Sequence, residues 1–289
     1  MGRRLDRPPA ASASGREMKM KEWPARLVLV GAGKMGGAMA AGWLEGGLEA
    51  SSLALVEPNP SREILALAMH GVVINPAYTA PPDVLVLAVK PQNLDAVALE
   101  IAPFAGEGTL VVSILAGKTI ADLKARLPRA RAVVRAMPNT PAAIGRGVTA
   151  AFASPEATAG QRRWCEALLG AVGAFYWLED EAAIDAVTAI SGGGPAYVFA
   201  LTEALAAAAE RLGLPPELAM NLARGTVEGA GELMRREGGT PAAVLRRAVT
   251  SPGGTTAAAL AVLQGEGGLD DLMARAAAAA RARAAEMAG

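Results

Sequence analysis

The sequence predicts an α/β fold in which a doubly wound sheet is followed by an all-helical region. Between residue 26 and about residue 177, short apolar runs rich in β-formers alternate with helical patterns. Most of these runs are continuous, which is typical of parallel strands covered on both faces. After Leu178 the chain is rich in Ala, Leu, Glu and Arg and has almost no strand signal. The repeated β-α-β order predicts the sheet, and the change in composition predicts a second, helical domain.

The apolar runs define the order of the predicted elements. Strands are predicted at 27–30, 53–56, 72–74, 84–89, 110–114 and 132–134, with weaker runs near Val148 and Phe175. Helices fit 35–44, 61–69, 94–104 and 120–127, and then 181–190, 196–212, 216–237, 241–248, 256–264 and 269–287. We therefore expect a disordered leader at 1–24, a sheet domain at 25–177 and a helical domain at 178–289. The apolar helices of so small a domain predict burial against a second copy of the chain.

Composition excludes several classes of partner. The 289 residues are 52% hydrophobic and 19% charged with a formal net charge of +0, so nothing favours nucleic acid or an anionic membrane. The one cysteine, Cys165, allows neither an internal disulfide nor a metal cluster and is expected to be a buried small residue. The apolar stretch 198–209 is interrupted by Glu203 and no run looks able to span a bilayer. We expect a cytoplasmic protein without a metal.

A glycine-rich turn follows the first predicted strand and opens the first helix. It reads Gly31-Ala32-Gly33-Lys34-Met35-Gly36, the pattern of a Rossmann-type dinucleotide site. The first glycine permits a tight turn, the second lets a pyrophosphate approach, and the third lets helix and strand pack closely. Glu57, at the end of the second strand, suits an adenosine ribose and favours NAD, although it could be a plain loop carboxylate. Arg62 could meet a 2′-phosphate, so NAD(H) and NADP(H) both stay open.

Three further loops follow strands at the edge of the sheet where ligands of this fold bind. Lys90, in Leu87-Ala88-Val89-Lys90-Pro91-Gln92, is a candidate for a cofactor phosphate or ribose, or else a surface lysine. The segment 113–117 ends the next strand in a similar place. Two prolines make the loop Arg135-Ala136-Met137-Pro138-Asn139-Thr140-Pro141 rigid, which suits the positioning of a nicotinamide.

The reacting centre is predicted partly from residues that the chain lacks. His70 is the only histidine, at a position where a structural or surface role is expected, and no lysine follows Lys124. Dehydrogenases that oxidise a hydroxyl need a base, commonly one of these two residue types. A protonated cyclic imine needs only hydride, so the absence favours an imine as substrate.

Two segments of the helical region are unusual. Ser251-Pro252-Gly253-Gly254-Thr255-Thr256 precedes a helical pattern, and a helix N-terminus built this way attracts anions such as a small carboxylate. Ile190-Ser191-Gly192-Gly193-Gly194-Pro195 is predicted to break or kink a helix, or else to connect two helices. Upstream of it, Glu181 and Asp185 are one turn apart. Either could accept a bond from a substrate N–H, although a solvated face fits the spacing equally well.

Together these segments resemble those of the pyrroline-5-carboxylate reductase family. The resemblance runs from about residue 26 to the C-terminus. It rests on the motifs 31–36, 87–92 and Met-Pro-Asn-Thr-Pro (137–141), and above all on Asp-Ala-Val-Thr-Ala-Ile-Ser-Gly (185–192), Gly-Pro-Ala-Tyr (194–197) and Ser-Pro-Gly-Gly-Thr-Thr (251–256). The first motif is generic, whereas the last three in this order are specific. One departure is Gly193, where the family commonly has a serine or another small residue, so any hydroxyl contact from that position is lost.

The resemblance implies NAD(P)H-dependent reduction of 1-pyrroline-5-carboxylate to L-proline by an intertwined homodimer, often joined into larger rings. It implies that the cofactor contacts Gly31, Ala32, Gly33, Lys34, Met35, Gly36, Asn75, Ala88, Val89, Lys90, Pro91 and Ala116, to which Glu57 is added from the ribose argument. It also implies that Glu181, Gly254, Thr255 and Thr256 contact the substrate, with the N–H groups of 254–256 on its carboxylate and the Thr256 hydroxyl near the ring nitrogen. The alternatives are a hydroxyacid or sugar-acid dehydrogenase, disfavoured by the missing lysine, and a nucleotide-sensing module without turnover.

Overall fold

The computed structural model describes residues 22–77 and 80–288 and contains one eight-stranded sheet. The strands are β1 (Leu27–Val30), β2 (Leu53–Val56), β3 (Val73–Ile74), β4 (Val84–Leu87), β5 (Leu110–Ser113), β6 (Ala132–Met137), β7 (Gly147–Ala153) and β8 (Gly173–Trp177). Their order across the sheet is β3-β2-β1-β4-β5-β6-β7-β8. The first six strands are parallel, and this confirms the predicted doubly wound arrangement.

Helices cover both faces of the sheet and make up the C-terminal part. They are α1 (Lys34–Glu45), α2 (Arg62–Leu67), α3 (Leu94–Ile101), α4 (Ile120–Arg126), α5 (Ala159–Gly170), α6 (Ala183–Val187), α7 (Gly194–Arg211), α8 (Pro216–Arg236), α9 (Ala242–Ala248), α10 (Thr255–Leu263) and α11 (Leu269–Ala288). Trp43 of α1 is fully buried in the core on one face, and Leu94 and Leu123 lie in the core on the other. Cys165 is buried, as predicted, and its burial raises the pKa of the thiol.

The far edge of the sheet differs from the sequence prediction. β7 pairs with β6 in antiparallel orientation, and β8 then runs parallel to β7. The helix α5, which precedes β8, was not predicted. It begins with a capping box in which the Thr158 side chain accepts from the Gln161 N–H and the Gln161 side chain accepts in return from the Thr158 N–H. The sequence predicted two weak strands here but neither the direction of β7 nor the helix between them.

The predicted leader is corrected at its end. Residues 1–21 lie outside the described residues, but residues 22–24 are part of the folded structure. Glu22 forms an ion pair with Arg163 at 2.7 Å, Trp23 packs against the core and Pro24 is buried. The folded part of the chain thus begins before the position that the sequence predicted.

The predicted helix break is a single π-helical turn. Residues Thr188–Gly192 form this turn, so α6 and α7 join into one helical stretch, Ala183–Arg211, of 29 residues. By length and composition it could cross a bilayer, contrary to the expectation of no such run, and it is the one stretch of this kind among residues 22–77 and 80–288. Only 11% of its most apolar window is buried within the chain, and Phe199 is 65% exposed. The exposed apolar face therefore requires a covering surface, which a second protein copy provides as well as lipid does.

Candidate active site

The glycine turn after β1 has the geometry of a dinucleotide-binding loop. Gly31 has a φ of 91°, and a Cβ there would lie 2.7 Å from the Ala88 carbonyl oxygen. A Cβ on Gly36 would lie only 2.0 Å from the Gly31 carbonyl oxygen. These two positions accept glycine alone, because the turn lies against the backbone that follows β4 at Gly31 and against the first helix at Gly36.

The N-terminus of α1 is open to a ligand. Gly33 is its N-cap, no side chain caps it and no acidic residue lies in its first turn. A Cβ placed on Gly33 would meet no atom within 4 Å, so the space in front of the helix is empty of protein. The first N–H groups of a helix lack intrahelical partners and carry partial positive charge. These residues therefore fit the pyrophosphate of a dinucleotide cofactor.

Glu57 lies beside this loop at the end of β2. Its Oε2 accepts from the Ala32 N–H at 2.9 Å, and its Oε1 accepts from the Asn59 N–H at 3.0 Å. Asn75 holds the Glu57 backbone from both sides, since its Oδ1 accepts from the Glu57 N–H at 2.8 Å and its Nδ2 donates to the Glu57 carbonyl at 2.9 Å. Asn75 does so in the left-handed region, with a φ of 49°. Asn75 therefore positions the glycine loop indirectly, because it fixes the backbone of Glu57, whose side chain binds the Ala32 N–H.

A cavity of about 480 Å³ extends from the glycine loop towards α2. Its lining includes Gly33, Lys34 and Glu57 of the predicted cofactor set, together with Asn59, Ser61 and Glu63, which the prediction did not include. The sequence signal for these three was available, because they follow β2 at the cofactor edge of the sheet. Arg62 starts α2 and is exposed.

The remaining predicted cofactor residues follow β4 and β5. These strands end side by side, with Leu87 paired to Ser113. Ala88 and Val89 are half-buried just beyond β4, Lys90 is exposed and Pro91 begins a short 3₁₀ turn. Ala116 lies in the loop after β5. All of them are therefore at the carboxyl edge of the sheet, next to the glycine loop.

A buried arginine joins this edge to the helical region. Arg135 of β6 has a side chain only 4% exposed, and it donates through Nη2 to Asp185 at 2.9 Å. Its Nη1 lies 3.6 Å from Glu181 Oε1, and the same oxygen accepts from the Ile120 N–H at 2.8 Å. The alternative of a solvated face for Glu181 and Asp185 was therefore wrong. The predicted substrate contact of Glu181 stays a prediction.

The rigid loop after β6 is tied to the π-helical turn. The side-chain amide of Asn139 donates to the Ser191 carbonyl at 3.1 Å, and its oxygen accepts from the Val148 N–H at 2.8 Å. A Cβ on Gly192 would come within 2.7 Å of Met137 Cε, so this turn and loop pack tightly. The sequence predicted the rigid loop but not the hydrogen-bond partners of the Arg135 and Asn139 side chains.

The segment 251–256 forms the second helix N-terminus of interest. Gly253 has a φ of 70°, and Gly254 is the N-cap of α10 without a side-chain cap. The Gly254 N–H donates to the Ser251 carbonyl at 3.0 Å, so this one of the three predicted donors is already engaged. Thr255 and Thr256 lie in the first turn and are exposed. Their N–H groups have no intrahelical acceptor and can receive an anion.

Comparison with known proteins is consistent with both halves of the site. The family model of pyrroline-5-carboxylate reductase dimerisation matches residues 181–287, and that of NADP oxidoreductase, coenzyme F420-dependent, matches residues 26–117. The chain is 41% identical over 266 residues to the pyrroline-5-carboxylate reductase of Pseudomonas aeruginosa, covering 91% of this chain and 97% of that protein. The chain belongs to the pyrroline-5-carboxylate reductase family.

Solved structures of this family share the fold. The pyrroline-5-carboxylate reductase of Coxiella burnetii has a TM-score of 0.83 at 34% identity, covering 92% of this chain and 99% of that one. The enzyme of Plasmodium falciparum, solved with NADP bound, has a TM-score of 0.75 at 27% identity, covering 92% and 98%. The predicted family and enzyme class are confirmed. Because residues 181–287 match the family's dimerisation model, the exposed apolar face of α7 and α8 is explained as a surface for a second copy.

Proposed function

We propose that this pyrroline-5-carboxylate reductase family member reduces 1-pyrroline-5-carboxylate to L-proline with NADH or NADPH. The observation that carries the proposal is the pairing of two uncapped helix N-termini, α1 and α10, in one chain. One suits the pyrophosphate of a dinucleotide and the other suits a small carboxylate. The C-terminal region from 178 onwards contains no histidine or lysine, which supports a reaction that needs no such side-chain base.

The dinucleotide is proposed to lie along the carboxyl edge of the sheet, and when bound its reduced nicotinamide supplies the hydride. Gly33 and the first turn of α1 bind the pyrophosphate, and Glu57 receives a bond from the adenosine ribose. The proposed contact set is Gly31, Ala32, Gly33, Lys34, Met35, Gly36, Glu57, Asn75, Ala88, Val89, Lys90, Pro91 and Ala116. Lys90 is exposed, so its ammonium is available for a phosphate or a ribose hydroxyl.

The substrate carboxylate is proposed to bind at the N-terminus of α10. The N–H groups of Thr255 and Thr256 hold its oxygens, Gly254 leaves room for the approach, and the Thr256 hydroxyl lies near the ring nitrogen. This arrangement holds a charged imine in place for hydride transfer and requires neither a histidine nor a lysine as a base. Glu181 is kept as a proposed substrate contact through the carboxylate oxygen that does not bind Ile120.

The active form is proposed to be a homodimer, alone or joined into a larger ring of dimers, in the cytoplasm. Within the described residues, α9 and α10 form no extensive packing with another element of their own subunit. A second copy that covers α7 and α8 would bring the two anion sites together. The division into a cofactor domain at 25–177 and a substrate and dimerisation domain at 178–289 belongs to the same proposal.

One assay separates this function from its alternatives. Oxidation of NADH and NADPH is followed with pyrroline-5-carboxylate and, in parallel, with a panel of 2-keto acids. The proposal expects turnover with the imine alone. Turnover with keto acids would indicate a hydroxyacid dehydrogenase, and coenzyme binding without any turnover would indicate a nucleotide-sensing module.

Replacement of Thr256 by alanine is expected to lower kcat/KM about 10- to 150-fold. The variant loses one hydrogen bond to a charged group, worth about 1.5–3 kcal/mol. Steady-state kinetics with saturating coenzyme measures the change. Thr256→Ser keeps the hydroxyl and should restore most of the activity, and an unchanged kcat/KM in the alanine variant would remove Thr256 from the site.

A further inference from the structure

The adenosine end of the cofactor cavity is built around a fixed carboxylate. Both oxygens of Glu57 are held, one by the Ala32 N–H and the other by the Asn59 N–H. Asn75 fixes the Glu57 backbone through two hydrogen bonds. An ionised carboxylate has about four acceptor positions, so two remain for a ligand. Glu57 is therefore a preorganised acceptor facing the glycine loop.

A second carboxylate lies on the same side of the cavity. The Ser61 hydroxyl donates to Glu63 Oε2 at 2.6 Å, and this bond lowers the pKa of Glu63 below its ordinary value. Glu63 is thus fully ionised at neutral pH. The Ser61 oxygen also caps α2 by accepting from the Ile64 N–H at 3.3 Å. Ser61 is consequently engaged on both sides and has little hydrogen-bonding capacity left for a phosphate.

The charge of the cavity opposes an additional anion. Its described lining holds two carboxylates, Glu57 and Glu63, and a single cation, Lys34. Arg62, the other cation of the segment, does not line the cavity. A phosphate monoester carries about −1.5 to −2 charges at neutral pH, whereas a ribose hydroxyl carries none and can donate to Glu57.

We propose that this chain binds NADH in preference to NADPH, with Glu57 as the residue that sets the preference. The inference rests on the proposed function only for the identity of the reaction. The Plasmodium falciparum relative holds NADP, so the fold accommodates a 2′-phosphate. The preference follows from this chain's own residues at the end of β2, where the 2′-hydroxyl gains an acceptor and the 2′-phosphate meets repulsion.

Coenzyme binding without substrate tests the proposal. Nicotinamide fluorescence titrations of the full chain measure Kd for NADH and for NADPH, and we expect NADH to bind at least about tenfold more tightly. In Glu57→Gln the repulsion is removed and a hydrogen-bonding side chain is kept, so the ratio of the two affinities should fall about tenfold. Glu63→Gln, which keeps the contact with Ser61, should lower the ratio by a smaller factor.

Arg62→Ala is the decisive control. We expect it to leave both affinities within about twofold, because Arg62 does not line the cavity. A selective loss of NADPH affinity in this variant, or equal binding of the two coenzymes by the unaltered chain, would overturn the proposal. A thermal unfolding scan without ligand identifies any variant that fails to fold. Because no imine is present, a clear NADH preference without imine reduction would contradict the proposed function and leave this inference standing.

Discussion

Replacing Gly36 with alanine is expected to lower the melting temperature by about 6–12 °C and to abolish measurable coenzyme binding. The added Cβ would lie 2.0 Å from the Gly31 carbonyl oxygen and 3.1 Å from its carbon, so backbone must move. Because no flexible side chain can yield, the overpacking costs about 3 kcal/mol, the upper end of the usual range, and each 1 kcal/mol shifts the midpoint by about 2–4 °C in a large domain. Thermal unfolding and coenzyme fluorescence titration measure the two effects.

Two neighbouring glycines serve as matched controls for this prediction. Gly33→Ala meets no protein atom within 4 Å, so its melting temperature should stay unchanged while the methyl group occupies the pyrophosphate position and weakens binding. Gly37→Ala makes only ordinary contact, 3.4 Å from Ile64 Cδ1, and should be neutral or slightly stabilising inside the helix. Equal melting temperatures for all three variants would contradict the steric argument, and normal coenzyme binding by Gly33→Ala would contradict the placement of the pyrophosphate.

Sequence patterns predicted the parallel part of the sheet because its central strands β1 and β4 are buried at every position and read as continuous apolar runs. The last two strands are less uniform. β7 has two half-buried positions, Val148 and Phe152, and β8 alternates between half-buried and exposed. Strand direction at this edge depends on which neighbour pairs with β7, and local patterns do not contain that information.

The candidate site divides in the same way between local and long-range features. The positions of the two helix N-termini were predictable because glycine turns and helix starts are encoded by adjacent residues. The partners of Glu181 were not, because Ile120 is 61 residues away along the chain and Arg135 lies on a different element. Spacing alone put Glu181 and Asp185 on one face but left open whether that face met water or a buried cation. The packing of α6 against β6 and β7 places that face against the buried cation Arg135.

Replacing Arg135 with methionine is expected to destabilise the protein by about 3 kcal/mol or more, which lowers the melting temperature by roughly 6–12 °C. The guanidinium is almost fully buried and is the shared partner of two carboxylates, of which Asp185 is 22% and Glu181 27% exposed. Methionine fills similar space but leaves both negative charges without their cation. Removing one partner of a buried ion pair costs far more than removing a surface pair, because the desolvated charge that remains is uncompensated.

Arg131→Met provides the matched control, since Arg131 lies just before β6 and pairs with Glu107 at 3.2 Å with both side chains more than two-thirds exposed. An exposed pair contributes about 0–1 kcal/mol, so this variant should melt within about 4 °C of the unaltered protein. The double variant Glu181→Gln with Asp185→Asn removes the charges that Arg135 leaves behind, and adding it to Arg135→Met should recover part of the loss. If Arg135→Met and Arg131→Met have the same melting temperature, the ion network around Arg135 does not hold the helical region to the sheet. If Arg135→Met lowers the melting temperature and the added double variant raises it again, the unpaired carboxylate charges cause the instability, and the lost packing volume does not.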